Sequence, residues 1–295
     1  MTETNQPQAW STQRSADSQL KRNWAKLRRN KAALLGGILI LIYVITALLA
    51  SVLFPGSPSA PNLIHSLEHP SIKHPLGTDE LGRSILGRVI YGSRVSLLIA
   101  IGVVAVGLLV GVPLGLVSGY YGGKVDFGIQ RITDTLLAFP GFLLALGLVA
   151  VLGVGLKNTI ISVGISMVPI YIRLVRGCTL SVREQTYVEA ARAVGTRDRI
   201  ILLRHILPNV MAPVTIQTSL GMGTAILFAA GLGFLGLGVQ PPTPEWGAML
   251  GSGRAYLFNS PHVATFPGIA IFLAVLGFNL AGDGLRDVLD PRFRL

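Results

Sequence analysis

Few side chains in this sequence stand where their chemistry could be used. His65, His69 and His74 lie close together in one polar stretch, and neutral imidazole is a common metal ligand. The same stretch carries Pro61, Pro70 and Pro75 and reads as irregular chain. The three histidines are therefore assigned to an ordinary polar loop, and no metal-ligand set is expected. Lys124 follows Gly123 as the lysine of a phosphate-binding loop would. Ser118, however, stands where that loop needs its first glycine, and Val125 stands where it needs a hydroxyl. No HExxH, GxSxG or kinase signature occurs. Cys178 is the single cysteine, which excludes an internal disulfide and a cysteine zinc site. Asp126, Arg131 and Asp134, and again Asp283 and Arg286, fall at the ends of apolar runs, not within them. A charge deep in a span would suggest a proton or ion relay. These residues read as rim groups that water or paired charges can satisfy. No catalytic residue emerges, and a non-enzymatic role is expected.

The elements that would position anything here are apolar. Of 295 residues, 51% are hydrophobic and 13% charged, against about 25% charged in a soluble domain. So little polar surface cannot wrap a water-soluble globule of this length. A helix needs about 20 apolar residues to cross the hydrocarbon core. Spans are expected at Ala32 to Phe54, Val95 to Gly123, Thr135 to Leu156, Asn158 to Ile172, Pro208 to Phe228 and Val263 to Gly282. The fourth is short and reaches full length if Arg173 or Arg176 snorkels to the interface. Gly231 to Pro244 is dense in glycine and proline and reads as a re-entrant or surface-lying segment.

Six spans place both termini on one side. With that side inside, 19 of the 25 lysines and arginines are cytoplasmic, the bias expected of a membrane protein so oriented. The net charge of +11 is explained this way without nucleic acid. The chain divides into a cytoplasmic tail (1–31), a first span with an outer segment (32–94), a core of spans (95–285) holding a cytoplasmic loop (177–208), and a cytoplasmic tail (286–295).

Gly107, Gly111, Gly115, Gly119 and Gly123 recur every four residues. On a helix they form one smooth face that lets another backbone approach closely. That backbone belongs either to a helix of the same chain or to a second subunit. Pro113 should kink this helix.

The run from Tyr187 to Asn209 has its own helix logic. Glu189 to Val194 is good helix sequence, and Gly195 is a natural C-cap. Thr196 can cap a second helix through Ile200 to His205, and Pro208 with Asn209 marks the entry to the fifth span. The result is a short, basic helix–turn–helix.

Glu189, Ala190 and Ala191, then Gly195, then Leu207 and Pro208, resemble the EAA loop of bacterial ABC importer permeases. His74 to Arg83, Gly233 to Gly247 and Phe278 to Pro291 resemble further segments of one subfamily. That subfamily is the C-type permease subunit of dipeptide, oligopeptide, glutathione and nickel importers. The resemblance implies an all-α membrane protein with six transmembrane helices, the type I importer permease fold, and cytoplasmic coupling helices. It implies that Glu189, Ala190, Ala191, Gly195, Leu207 and Pro208 couple the chain to an ATPase. The implied partners are a homologous B-type permease, two ATP-binding ABC subunits and an extracytoplasmic solute-binding protein, in the lipid of the bacterial cytoplasmic (inner) membrane. ATP and magnesium would be bound by the partner ATPases, with no cofactor in this chain. The cargo implied is a short peptide, with glutathione or nickel as alternatives. A stand-alone secondary transporter is the rival of another class.

Overall fold

The computed structural model describes residues 30–289. Residues 1–29 and 290–295 lie outside the described residues. So do most of the expected N-terminal tail, much of the C-terminal tail, and Pro291 of the ending segment. Among the described residues the chain is helical, with no β-strand.

Helix α1, Lys31–Leu48, starts where the Asn30 side chain accepts a hydrogen bond from Ala33 N. It buries only Ala33 and Gly36. Leu34, Leu35, Ile38, Leu41 and Ile42 stay exposed, an apolar surface suited to lipid or to another apolar face. Its buried stripe packs on the last helix. A Cβ at Gly36 would lie 2.6 Å from Ala281 N, so the two backbones nearly touch.

Helix α2 spans Ile85–Tyr121, and Ser84 caps its first turn through Gly87 N. It begins ten residues before the expected Val95 because Arg88 and Arg94 find partners instead of ending it. Arg88 is buried near Asp79 at 3.4 Å. Arg94 donates to Ala47 O and Leu48 O, two carbonyls of the α1 terminus that lack helical partners. A π-turn, Gly107–Gly111, precedes Pro113. The wider turn adapts the ladder where proline can supply no N–H.

The expected third span is a bent pair, not one helix. Helices α3, Gly123–Leu137, and α4, Gly141–Leu152, meet at 88°. The break at Ala138–Pro140 follows from Pro140, which disfavours helix in the residue before it. The α3 arm carries Asp126, Arg131 and Asp134.

Helix α5, Leu156–Arg183, exceeds the expected fourth span by running past both arginines. Arg173 pairs with Asp134 at 2.8 Å and Arg176 with Asp126 at 2.6 Å. After a short α6, Thr186–Ala193, helix α7 runs without interruption through Asp198–Phe234. The expected separate helix ending before Pro208 is its first part. A π-turn, Ile201–Ile206, again comes just before a proline.

Gly231 to Phe234 ends α7, and irregular chain follows to Glu245. Helix α8, Trp246–Gly253, follows the segment expected to be re-entrant or surface-lying. Trp246 is fully buried and donates through Nε1 to Val89 O at 3.0 Å. Tyr43 of α1 meets its ring edge-on at 5.2 Å. Helix α9, His262–Leu289, packs on α1 and α7. Among the described residues, five helices are long and apolar enough to cross a membrane, six counting the bent pair as one span.

Four of the five glycines do face another helix of this chain. A Cβ would come within 2.7 Å of Tyr171 at Gly107, 2.5 Å of Tyr171 at Gly111, 2.7 Å of Val175 at Gly115 and 2.7 Å of Thr179 at Gly119. All four contacts are on α5. Gly123 is not on this face. The helix stops at Tyr121, Gly122 and Gly123 take φ of 65° and 53°, and no atom lies within 4 Å of a Cβ at Gly123.

Candidate coupling site

The end of α5 and the start of α7 are joined by α6, which has a small core of its own. Val188 and Ala191 face inward from α6 onto Ile201, Ile206, Leu116 and Tyr120. Leu207 packs on the same group while half-buried. The structure thus brings Ala191 and Leu207 of the expected site together. Glu189, Ala190, Gly195 and Pro208 are exposed. The split follows from helix periodicity: Val188 and Ala191 share one face of α6, and Glu189 and Ala190 lie on the other.

The α6 terminus is a complete Schellman motif. Gly195 N donates to Arg192 O at 2.9 Å and Thr196 N to Ala191 O at 3.0 Å. Gly195 has φ of 78°, where a side chain would cost about 1 kcal/mol. Thr196 does not cap the following helix. The N-cap is Arg197, with no side-chain bond, and α7 begins at Asp198.

Three residues that sequence spacing does not single out pin this unit to α2. Tyr120 donates its hydroxyl to Asp198 Oδ1 at 2.6 Å. The Arg192 guanidinium lies over the Tyr120 ring at 4.9 Å. At the root of the loop, Arg183 donates to Gly119 O at 3.0 Å and pairs with Glu184 at 2.8 Å. Glu189 takes no loop arginine: it enters no ion pair with Arg183, Arg192, Arg197, Arg199 or Arg204 among the described residues.

The outward surface is mixed. Val194 is 80% exposed at the α6 terminus, and Tyr187, Ile200 and Leu203 are also exposed. Basic Arg192, Arg197, Arg199 and Arg204 surround them. An apolar tip with a charged rim is the composition that protein contacts commonly have.

The chain matches two known families. Residues 111–295 match the binding-protein-dependent transport system inner membrane component family. Residues 18–70 match the N-terminal transmembrane domain of oligopeptide transport permease C. A dipeptide transport system permease protein of Alkalihalophilus pseudofirmus is 45% identical over 282 residues, covering 96% of this chain and 93% of the relative. Glutathione transport system permease proteins of Pectobacterium atrosepticum and Escherichia coli are 45% and 47% identical, each over 92% of this chain and 90% of the relative. Among solved structures, an inward-facing MetNI methionine ABC transporter chain superposes with a TM-score of 0.56 at 19% identity, over 69% of this chain and 97% of that chain. At that identity the likeness establishes the fold.

Proposed function

This chain belongs to the binding-protein-dependent transport system inner membrane component family, and from that premise we propose a specific role for its cytoplasmic loop and its cargo. It is a membrane permease subunit of an ABC importer and not an enzyme; ATP hydrolysis belongs to separate subunits. In the proposed reading, α6 is the coupling helix. Its exposed face, with Glu189, Ala190, Val194 and the Gly195 turn, docks into an ATPase subunit. Movement of that subunit on binding ATP and magnesium is passed through Ala191, Leu207 and the small core beneath them to α2, α5 and α7. The single observation that carries this reading is that α6 is seated on a core continuous with three spans while its apolar tip is bare.

The complex would hold a second, homologous permease, two ATPases and a solute-binding protein on the far side. Both termini of this chain would be cytoplasmic, as the distribution of lysine and arginine indicates. The cargo is a short peptide, which accommodates both the dipeptide and the glutathione relatives. Transport is by alternating access, and this chain forms part of the gate.

The test replaces Gly195 by proline. Proline cannot adopt a φ of 78° and has no N–H to give Arg192 O. The expected result is normal membrane insertion, loss of dipeptide uptake, and ATPase activity that no longer responds to the loaded binding protein. Uptake at the normal rate by this variant overturns the coupling assignment. Uptake by vesicles lacking the ATPases and ATP would make the chain a secondary transporter instead. Competition between labelled dipeptide, glutathione and nickel in the intact system separates the three cargoes.

A further inference from the structure

The stretch between α1 and α2 is irregular chain, as its prolines suggest, with one short turn of helix at Leu63–His65, yet it is closely hydrogen-bonded. Asn62 N donates to Leu81 O at 2.8 Å, Leu67 N to Asp79 O at 3.0 Å and Thr78 N to Glu68 O at 3.0 Å. The Thr78 hydroxyl donates to His65 O and accepts from Glu68 N. At the base, Asp79 is gripped by Arg83 Nε at 2.7 Å and takes the backbone N–H groups of Leu81 and Arg83. Gly77 abuts the His262 ring at the start of α9, close enough that a Cβ would lie 2.6 Å from it. The loop is thereby a fixed frame set on the spans.

Within this frame the backbone turns sharply at Leu67, whose φ is 56°, a conformation that non-glycine residues adopt at a cost and that gathers at functional sites. Three side chains converge beside it. His65 Nδ1 lies 2.5 Å from Glu68 Oε1, and His74 Nε2 lies 3.7 Å from Glu68 Oε2. The His65 and His74 rings are 5.5 Å apart, and one ligand atom from each of the three residues lies within 4.8 Å of the others. His74 Nε2 is buried without a hydrogen-bond partner. At 3.7 Å from Glu68 it is too far for a hydrogen bond, and such an orphaned buried group is uncommon.

The structure assigns to His65, Glu68 and His74 a site for one divalent cation of the zinc class, bound by two imidazole nitrogens and a carboxylate oxygen. That donor set suits zinc, cobalt or nickel. Calcium and magnesium prefer oxygen ligands throughout. Ligand atoms around a tetrahedral zinc stand about 3.3 Å apart, so the present spacings need only side-chain adjustment. The cation would supply the partner that His74 Nε2 lacks. It would also tie the two limbs of the loop together where the loop rests on α9. This site does not depend on the nature of the cargo.

The test uses the full chain in its purified complex, carrying an affinity tag without histidine. The complex is stripped with chelator, given zinc alone, and gel-filtered, and metal is counted by mass spectrometry. The expected result is one zinc per chain. Histidine-to-glutamine replacement at both ligands, H65Q with H74Q, should lower affinity at least tenfold, while H205Q at the opposite end keeps the wild-type value. Cobalt in place of zinc should give visible ligand-field bands with the wild-type chain, lost in the milder variant E68Q, which decides the matter if the double variant does not assemble. Zinc bound equally by wild type and double variant, or a cobalt complex without those bands, overturns the assignment.

Discussion

Arg176 on α5 grips Asp126 on α3 with two hydrogen bonds, Nε to Oδ1 and Nη2 to Oδ2, each 2.6 Å long. The Ser118 hydroxyl on α2 donates to the same carboxylate and accepts from Gln130 Nε2 at 2.9 Å. One acidic group thus ties three helices together at the point where α2 hands over to the bent pair. Asp126→Ala would leave Arg176 without its partner. A hydrogen bond to a charged group is worth about 1.5–3 kcal/mol, and the Asp126 side chain is only 19% exposed. The thermal midpoint of the purified chain in detergent should therefore drop by several degrees. Asp134→Ala breaks a pair whose members are 50% and 56% exposed, and should cost under about 1 kcal/mol. Equal losses for the two variants would mean that Asp126 is not the tie.

The α2–α5 contact should not tolerate side chains at its glycines. At Gly115 a Cβ would sit 2.7 Å from Val175 Cβ and 2.8 Å from Ile172 O. The second of these is backbone and cannot swing aside. Gly115→Leu should sharply reduce the yield of folded protein recovered in detergent. Gly128→Ala on α3, where nothing lies within 4 Å, is the control and should leave the yield unchanged. Recovery of the leucine variant at the control level would show that the helices separate freely along this seam.

Most of the spans were legible because uncharged apolar runs of bilayer length have few other uses. What misled was charge. Arg94, Arg173 and Arg176 look like span ends in one dimension, yet each finds a partner some 40 to 50 positions away. The cut between Ala138 and Pro140 lay hidden inside an apolar run, because hydropathy says nothing of direction. At the candidate coupling site, Gly195 was readable since glycine is the usual residue for a left-handed helix end. Tyr120 was not, because its partner Asp198 stands 78 positions away and neither has a local signature. Likewise the prolines around His74 announced turns, but not that those turns bring His74 back to Glu68.

Glu245 caps α8 and makes its packing pH-dependent. Its side-chain oxygens accept from Gly247 N and Ala248 N, both at 2.8 Å. The residue is 2% exposed, and burial raises the carboxyl above the usual carboxylate range despite those two bonds. An acid held more tightly protonated in the fold adds stability that is complete below its unfolded pKa, about 4.3. That stability is lost as pH rises through the higher folded value. The wild-type thermal midpoint should then decline by roughly a few degrees between acidic and neutral pH. Glu245→Gln, neutral throughout, should give a flatter profile, slightly lower at acidic pH because its amide offers one acceptor oxygen in place of two. A wild-type midpoint that climbs over this range would contradict the burial argument.

Glu189 sits in the first turn of α6, exposed. As a local helix-end charge it would be worth about 0.3–1 kcal/mol, too little to make the position critical. Two of the loop arginines have other contacts: Arg183 holds Glu184 and Gly119 O, and Arg192 lies on Tyr120. The carboxylate is exposed and in no ion pair among the described residues, open to a basic residue of a docked subunit. Removing one member of a charge pair that becomes desolvated on docking costs about 2–5 kcal/mol. Glu189→Gln should accordingly leave insertion and the thermal midpoint of the isolated chain within a degree or two of wild type. It should at the same time weaken co-purification of the ATPase subunits at least tenfold and depress uptake in proportion. Full ATPase recovery together with a small loss of thermal stability would reduce Glu189 to a helix-terminus charge and move the docking contact to the apolar tip.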